Sequence, residues 1–414
     1  MKGKTGTATI WNKNFICVLL ANMFLGFSNS SVNTLVSTFA DFLGAGAVLV
    51  GALTGMYFGV SFLMRPVAGP VTTRFDKRNL MILAFALGML ANLGYAFTRS
   101  VGLFVVFRIL TGMQFSIIGP LAMTVASDSL PPEKLGSGLG FYGVAMAISS
   151  ALGPSIGIWL KDSGTALKGE SFGFLLVFLF ASLCLGIAVI PSLLICIPKK
   201  TKAELADIGV WYKNIVAVPA LPPALIILFV STAHSMFSAY MYPYAKELGV
   251  AGIGSFFTVY AVVLLAARPL SGRMIDKYGA FKLIFIGSVI FALSFVFVGI
   301  SRSLASLLCA AFVAAVGYGT AQPAIQTMCM QSVAPVKRAV ASNTIYVGMD
   351  LGLFAGPLIG GVIYSLAGSY SVTYLAMVIP LCAAMLVLKL SWKYYEKSKR
   401  RADGEQTVNK DCAE

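Results

Sequence analysis

One histidine and sixteen acidic residues in 414 positions, with charged residues at only 11%, make this chain poor in the groups on which soluble enzymes depend. Soluble proteins average roughly 25% charged residues. A lone histidine without any C-x-x-C leaves no paired His/Cys spacing for a metal. No G-x-x-x-x-G-K-[ST] loop exists to cradle a phosphate, and no nucleophile-base set offers itself. An enzyme is therefore not expected, nor a cofactor or metal. The seven cysteines are odd in number. Cys17, Cys184, Cys196, Cys309, Cys329 and Cys382 lie in apolar runs and Cys412 in the tail, so they read as small buried hydrophobes and not as a disulfide framework.

What the chain has in excess is apolar length: 58% of its residues are hydrophobic and its mean hydropathy is +0.84. Twelve runs of about twenty residues, each long enough to cross ~30 Å of hydrocarbon, fall near 14–38, 47–70, 80–98, 102–127, 137–160, 172–197, 222–244, 252–272, 281–300, 304–330, 340–367 and 371–392. The expected class is an all-α, multi-pass membrane protein with twelve transmembrane helices. The first run follows a basic segment but is too long for a signal h-region, so it is expected to be retained.

A net charge of +15 would suggest nucleic acid in a soluble chain, but here the charges sit between the apolar runs. With a cytoplasmic N-terminus, the inner segments collect Lys2, Lys4, Lys13, Arg74, Lys77, Arg78, Lys134, Lys199, Lys200, Lys202, Lys213, Arg273, Lys277, Lys282, Lys337, Arg338, the cluster from Lys389 to Arg401, and Lys410. The outer segments hold only Arg99, Lys161, Lys168, Lys246 and Arg302. The positive-inside rule then places both termini in the cytoplasm of a cell-membrane protein. Basicity reports topology, and no nucleic acid partner is expected. The tail "KLSWKYYEKSKRR" reads either as a strip resting on anionic headgroups of the inner bilayer face or as a solvated basic end.

The two halves repeat at an offset of 203 residues, the separation of Arg65 and Arg268. "RPVAGPVTTRFDKRN" falls on "RPLSGRMIDKYGAFK", matching Arg65 with Arg268, Pro66 with Pro269, Gly69 with Gly272 and Arg74 with Lys277. The register continues through Pro120 and Pro323, Pro132 and Pro335, Lys134 and Lys337, and Gly153-Pro154-x-x-Gly157 with Gly356-Pro357-x-x-Gly360. The organisation is therefore a six-helix half (1–198), a linker (199–221), a second six-helix half (222–392) and a basic tail (393–414). Such parallel halves imply a site near the bilayer midplane, exposed to each side in turn as one half rocks on the other.

Over essentially its whole length the chain resembles the major facilitator superfamily of transporters. The loop Gly272-Arg-Met-Ile-Asp276-Lys277-Tyr-Gly279 resembles that family's G-x-x-x-D-[RK]-x-G signature. The first-half copy at Gly69 and Arg74 departs from it, with Thr73 in place of the acid and Asp76 in place of the second glycine, so Asp76 or Asp128 is expected to supply the missing negative charge. These loops imply a gate that binds the opposite half in one state and releases it in the other; otherwise they only anchor helix ends. The fourth helix carries Arg108 and, four residues on, Gly112, as in the family's proton-linked efflux members, where the arginine serves coupling or substrate contact. At membrane depth its permanent charge must face inward, and the other reading is a structural arginine capping carbonyls. The fifth helix resembles the family's antiporter signature, with Ser149 and Ile158 in place of two glycines. The branch it looks most like includes opine and drug exporters.

In the eleventh helix, "YVGMDLGLFAGPLIGG", a carboxylate interrupts an apolar run. At about 100° per residue, Gly348 and Gly352, continued by Gly356 and Gly360, lie opposite Asp350, so one side of the helix is expected to pack on a neighbour. Asn343, Tyr346 and Asp350 share the other side and face the cavity or the seam between halves. A poorly hydrated carboxyl there suits a proton carrier; the competing reading is a permanent ion pair with an arginine such as Arg108. Polar stripes on the first helix (Asn22, Gly26, Asn29, Asn33), the seventh (Ser231, His234, Ser238, Tyr242) and the tenth (Gln322, Gln326) read as cavity lining or as interhelical glue. His234 is a ligand contact, a second proton site or a satisfied buried imidazole. Arg108 with Phe115, Tyr240, Tyr242 and Tyr346 fits a small amphipathic anion or zwitterion. The expectation is a monomeric, proton-coupled exporter of such a solute. The alternatives are proton-symport uptake of an organic anion and a non-transporting membrane sensor or scaffold.

Overall fold

The computed structural model describes residues 9–196 and 215–411, so most of the expected linker, together with Lys2, Lys4, Lys199, Lys200, Lys202, Lys213 and Cys412, lies outside the described residues. Twelve long helices carry the architecture: α1 (Lys13–Asn33), α2 (Ala47–Arg74), α3 (Lys77–Phe97), α4 (Val101–Asp128), α5 (Leu135–Lys168), α6 (Glu170–Leu194), α7 (Leu221–Glu247), α8 (Gly254–Tyr278), α9 (Ala280–Ile300), α10 (Leu304–Gln331), α11 (Arg338–Ala367) and α12 (Val378–Asp411). Among the described residues, eleven stretches are long and apolar enough to cross a membrane. The 28-residue helix α2, with buried Arg65 in its second half, occupies the place of the second expected crossing.

Hydrocarbon offers no hydrogen-bond partners, so apolar sequence of this length satisfies its backbone within helices, and short polar residues start them. Asn12, Asp76 and Ser100 accept from the backbone N–H three residues on and cap α1, α3 and α4, while Ser303 and Ser306 form a reciprocal capping box at α10. The sixth expected run ends earlier than its apolar composition implies: α6 stops at Leu194, and Cys196 follows it as an exposed residue whose backbone is held by the Asn14 side chain. Cys17, Cys184 and Cys329 are buried, whereas Cys309 and Cys382 face outward. The basic tail is not separate from the last span. Its residues extend α12, and Tyr395 is buried there, its hydroxyl donating to Gln331 Oε1 at 2.9 Å.

The glycines of α5 and α11 do equivalent work in the two halves. A Cβ on Gly157 would stand 2.7 Å from the Ser31 carbonyl oxygen of α1, and one on Gly352 would collide with the Leu228 carbonyl of α7. Gly153 lies against Ser30, Gly356 against Thr232 and Ser235, and Gly360 against Met236 and Tyr240. Without side chains the backbones approach closely, as small-residue stripes permit in membranes. Pro154 and Pro357 stand within these contacts, and the Pro357 carbonyl accepts from Tyr240 at 2.6 Å. The polar side of α11 is thereby turned to the seam between the halves.

At one end of the bundle, where Lys77, Lys134, Lys277 and Lys337 gather, the halves are bound together. Asp276 Oδ1 accepts from the Gly136 N–H at 2.7 Å, and Oδ2 accepts from the Ser137 N–H at 2.9 Å and from the Ser137 hydroxyl. A carboxylate of α8 thus sits on the N-terminus of α5, where the helix dipole favours negative charge. Arg338 Nη1 donates to the Ser127 carbonyl at 3.0 Å, and Ser342 donates to Pro120 at 2.8 Å.

Candidate substrate and coupling site

Midway along α11, Asp350 Oδ2 accepts three hydrogen bonds from α2: Arg65 Nη2 at 2.7 Å, Arg65 Nε at 3.0 Å and Ser61 Oγ at 2.9 Å. Neither member of the ion pair has any exposed side-chain surface. The pair joins one half to the other, since Arg65 belongs to the first repeat and Asp350 to the second. Arg65 Nη1 donates to the Ser116 carbonyl at 2.8 Å, the rings of Tyr346 and Phe115 lie 5.0 and 5.9 Å from its guanidinium carbon, and Asn343 donates to the Arg65 carbonyl at 3.0 Å. Stripping water from both charges costs several kcal/mol per ion, which only close pairing and further hydrogen bonds offset. Asp350 Oδ1 is buried and has no partner among the described residues.

The arginine beside Asp350 is thus Arg65, not Arg108. Arg108 is turned into its own half, where Nε donates to Leu53 O at 3.1 Å, Nη1 to Asn33 Oδ1 at 3.1 Å and Nη2 to Thr54 O at 3.3 Å. The Tyr57 ring lies 5.7 Å from its guanidinium, and the Tyr57 hydroxyl accepts from Asn29 at 2.8 Å. The expected partners Asn29, Asn33 and Arg108 therefore do come together, with Phe115 packed on Tyr57 at 4.7 Å between ring centroids.

In the second half His234 stacks on Tyr318 with centroids 4.0 Å apart and stands 6.1 Å from Tyr260; its Nδ1 is buried without a hydrogen bond among the described residues. Gln322 Oε1 accepts from Arg268 Nη2 at 2.8 Å, and Gln326 is buried one turn on. Ser238 and Tyr242, expected on the His234 face, are exposed, and Ser238 donates to Ser235 O at 3.0 Å. Tyr346 is buried between Arg65 and Gly119.

The residues expected to form a gate divide by their contacts. Asp276 bridges the halves, while the neighbouring Lys277 lies 5.0 Å from the Tyr278 ring. Gly272 meets the Gly136 backbone across the seam. In the first repeat, Thr73 donates to Pro70 O and Gly69 O accepts from Thr72, at 2.8 and 2.9 Å, beside Arg74 in the last turn of α2. Asp76 caps α3 by accepting from Asn79, whereas Asp128 accepts from Lys77 at 2.6 Å and, across the seam, from Arg338 at 3.4 Å. Of the two acids expected to replace the missing one, Asp128 reaches the opposite half.

Sequence reasoning passed over Arg65, Ser61 and Arg268 as site residues. Arg65 and Arg268 entered only as repeat markers, although each is a permanent cation inside an apolar run, the same signal that singled out Arg108.

The family model for the Major Facilitator Superfamily matches residues 18–252 and 223–411. The chain is 26% identical over 369 residues to the multi-drug resistance efflux pump PmrA homolog of Lactococcus lactis, covering 85% of this chain and 88% of that protein. It is 23% identical to multidrug resistance protein 2 of Bacillus subtilis over 92% of this chain and 96% of that one, and 22% identical to the staphylopine export protein of Staphylococcus aureus over 70% and 78%. Among solved structures, the human organic anion transporter MFSD10 superposes with a TM-score of 0.75 at 16% identity, over 91% of this chain and 99% of that one. The proton:xylose symporter XylE does so with 0.75 at 14%, over 92% and 95%. At such identities the structural likeness speaks for the fold. A sequence repeated in two halves, a buried ion pair across their seam and a family match that runs through both halves place this multi-pass membrane protein in the Major Facilitator Superfamily of transporters.

Proposed function

We propose that the protein exports a small amphipathic organic solute in exchange for protons by alternating access, with Asp350 carrying the proton. The observation that supports this most is the buried Arg65–Asp350 pair, which ties α2 of one half to α11 of the other near the closed basic end. A proton on Asp350 removes the charge that Arg65 holds, weakening that tie and favouring the form with the basic end open. A ligand shifts such an equilibrium only by its differential affinity, and the proton prefers the form in which the pair is apart. With the basic loops and both termini in the cytoplasm, a closed basic end corresponds to an outward-facing form. That form takes up a proton from outside and turns inward; there the proton leaves, and solute binding accompanies the return. The names of the bacterial relatives, efflux pumps and an export protein, support the outward direction.

Inverted membrane vesicles holding a preformed ΔpH test the reading with a panel of toxic organic compounds. An accepted compound should accumulate inside while the gradient falls. Asp350→Asn should keep downhill exchange yet lose the response to ΔpH, and an unchanged response in that variant removes Asp350 from the role. Accumulation only under the opposite gradient indicates uptake, and solute binding without movement indicates a sensor.

A further inference from the structure

At the repeat offset, Arg268 is the counterpart of Arg65, Tyr260 of Tyr57, and Tyr318 of Phe115, but the counterpart of Asp350 is Ala147. Arg268 is buried, 6% exposed against 0% for its twin, and among the described residues it has no carboxylate partner. Its bonding follows that of Arg65 in part. In both, Nη1 donates to a backbone carbonyl: Ser116 O for Arg65 and, across the seam, Gly143 O for Arg268. In Arg65 the Nε–Nη2 edge grips Asp350, whereas in Arg268, among the described residues, Nη2 meets the neutral Gln322 amide oxygen and Nε is buried without a partner. His234 Nδ1 and Tyr260 Oη, in the same half, are also buried and without a partner among the described residues. Tyr318 lies one turn before Gln322 on α10, His234 stacks on it at 4.0 Å between centroids, and Tyr260 stands 6.1 Å from His234. Buried polar atoms rarely go unsatisfied, and a guanidinium edge matches a carboxylate in geometry as well as charge.

We propose that the Nε–Nη2 edge of Arg268 is the receptor for an organic carboxylate on the transported solute, which takes the place that Asp350 holds in the first repeat. His234, Tyr318 and Tyr260 provide the aromatic wall for its apolar body. The inference rests on the transport reading above and names the solute class for that reading.

Binding to the purified full-length protein in detergent tests it without requiring movement or a proton gradient, so failed coupling in vesicles leaves this measurement standing. The probes are 1-naphthoate, 4-phenylbutyrate and indole-3-acetate, each compared with its neutral primary amide. At least one acid should bind about ten-fold or more tightly than its amide, the range expected of hydrogen bonds to a charged group. Arg268→Gln should erase that preference and Arg268→Lys retain part of it. Ala147→Asp, which offers the arginine an internal acid, should abolish it with Arg268 still present. If no acid outbinds its amide, or if the preference survives in both Arg268→Gln and Ala147→Asp, the assignment is overturned; should Arg268→Gln not fold, the Ala147→Asp result decides.

Discussion

Arg65 and Asp350 are 285 residues apart in sequence and 2.7 Å apart in space, one from each half of the molecule and both without solvent exposure. Removing one member leaves a buried charge without its partner, which costs about 3–5 kcal/mol. Arg65→Leu alone is expected to lower the melting temperature in detergent sharply. Arg65→Leu combined with Asp350→Leu should recover much of the loss, because an apolar pair leaves no charge stranded. A double variant no more stable than the single one contradicts a pairwise tie.

Asp276 on the N-terminus of α5 is a contact that must break whenever the basic end opens. Asp276→Asn keeps the shape and removes the charge, and the interaction of a carboxylate with a helix N-terminus is worth roughly 0.3–2 kcal/mol. The variant should shift the two-state population toward the open basic end by up to about thirty-fold. Distances between spin labels on α5 and α8 report it, and an unaltered distribution means that Asp276 plays no part in closure.

Gly352 and Gly59 separate packing from propensity. Gly352→Val places methyl groups against the Leu228 carbonyl and should cost about 1–3 kcal/mol through overpacking. Gly59, within α2, has nothing within 4 Å of a Cβ, so Gly59→Ala should be neutral or stabilising by up to about 1 kcal/mol. Thermal unfolding in detergent compares the two, and equal effects would argue against the α7–α11 contact.

Arg108 spreads three nitrogens over Leu53 O, Asn33 Oδ1 and Thr54 O. An ammonium cannot reproduce that fork. Arg108→Lys is therefore expected to lose about 1–3 kcal/mol of stability, the cost of unsatisfied buried acceptors, although the charge is kept. If stability holds while transport fails, the residue acts on the solute or on coupling and not as a brace for α1, α2 and α4.

The acids expected in the gating loops show how far the one-dimensional pattern reaches. Asp276 was legible because its loop carries a family signature, whereas the first repeat has lost its acid, and nothing local tells Asp128 from Asp76. Only Asp128 stands at the end of a helix that the packing brings beside Arg338, while Asp76 is consumed in capping α3. The same division holds for the seventh-helix stripe: periodicity put Ser231, His234, Ser238 and Tyr242 on one face, but Ser231 is buried while Tyr242 is 71% exposed, because burial changes along a helix as its neighbours diverge.

By itself the sequence determined the membrane class, the duplication and the division of α11 into a glycine side and a polar side, because run length, repeat register and the 100° helical step are properties of the chain alone. The tertiary structure decided that Asp350 meets Arg65, that Arg108 turns into its own half, and that Arg268 meets no acid among the described residues. Periodicity says which way a side chain points on its own helix; what it meets depends on how two bundles are rotated and shifted against each other.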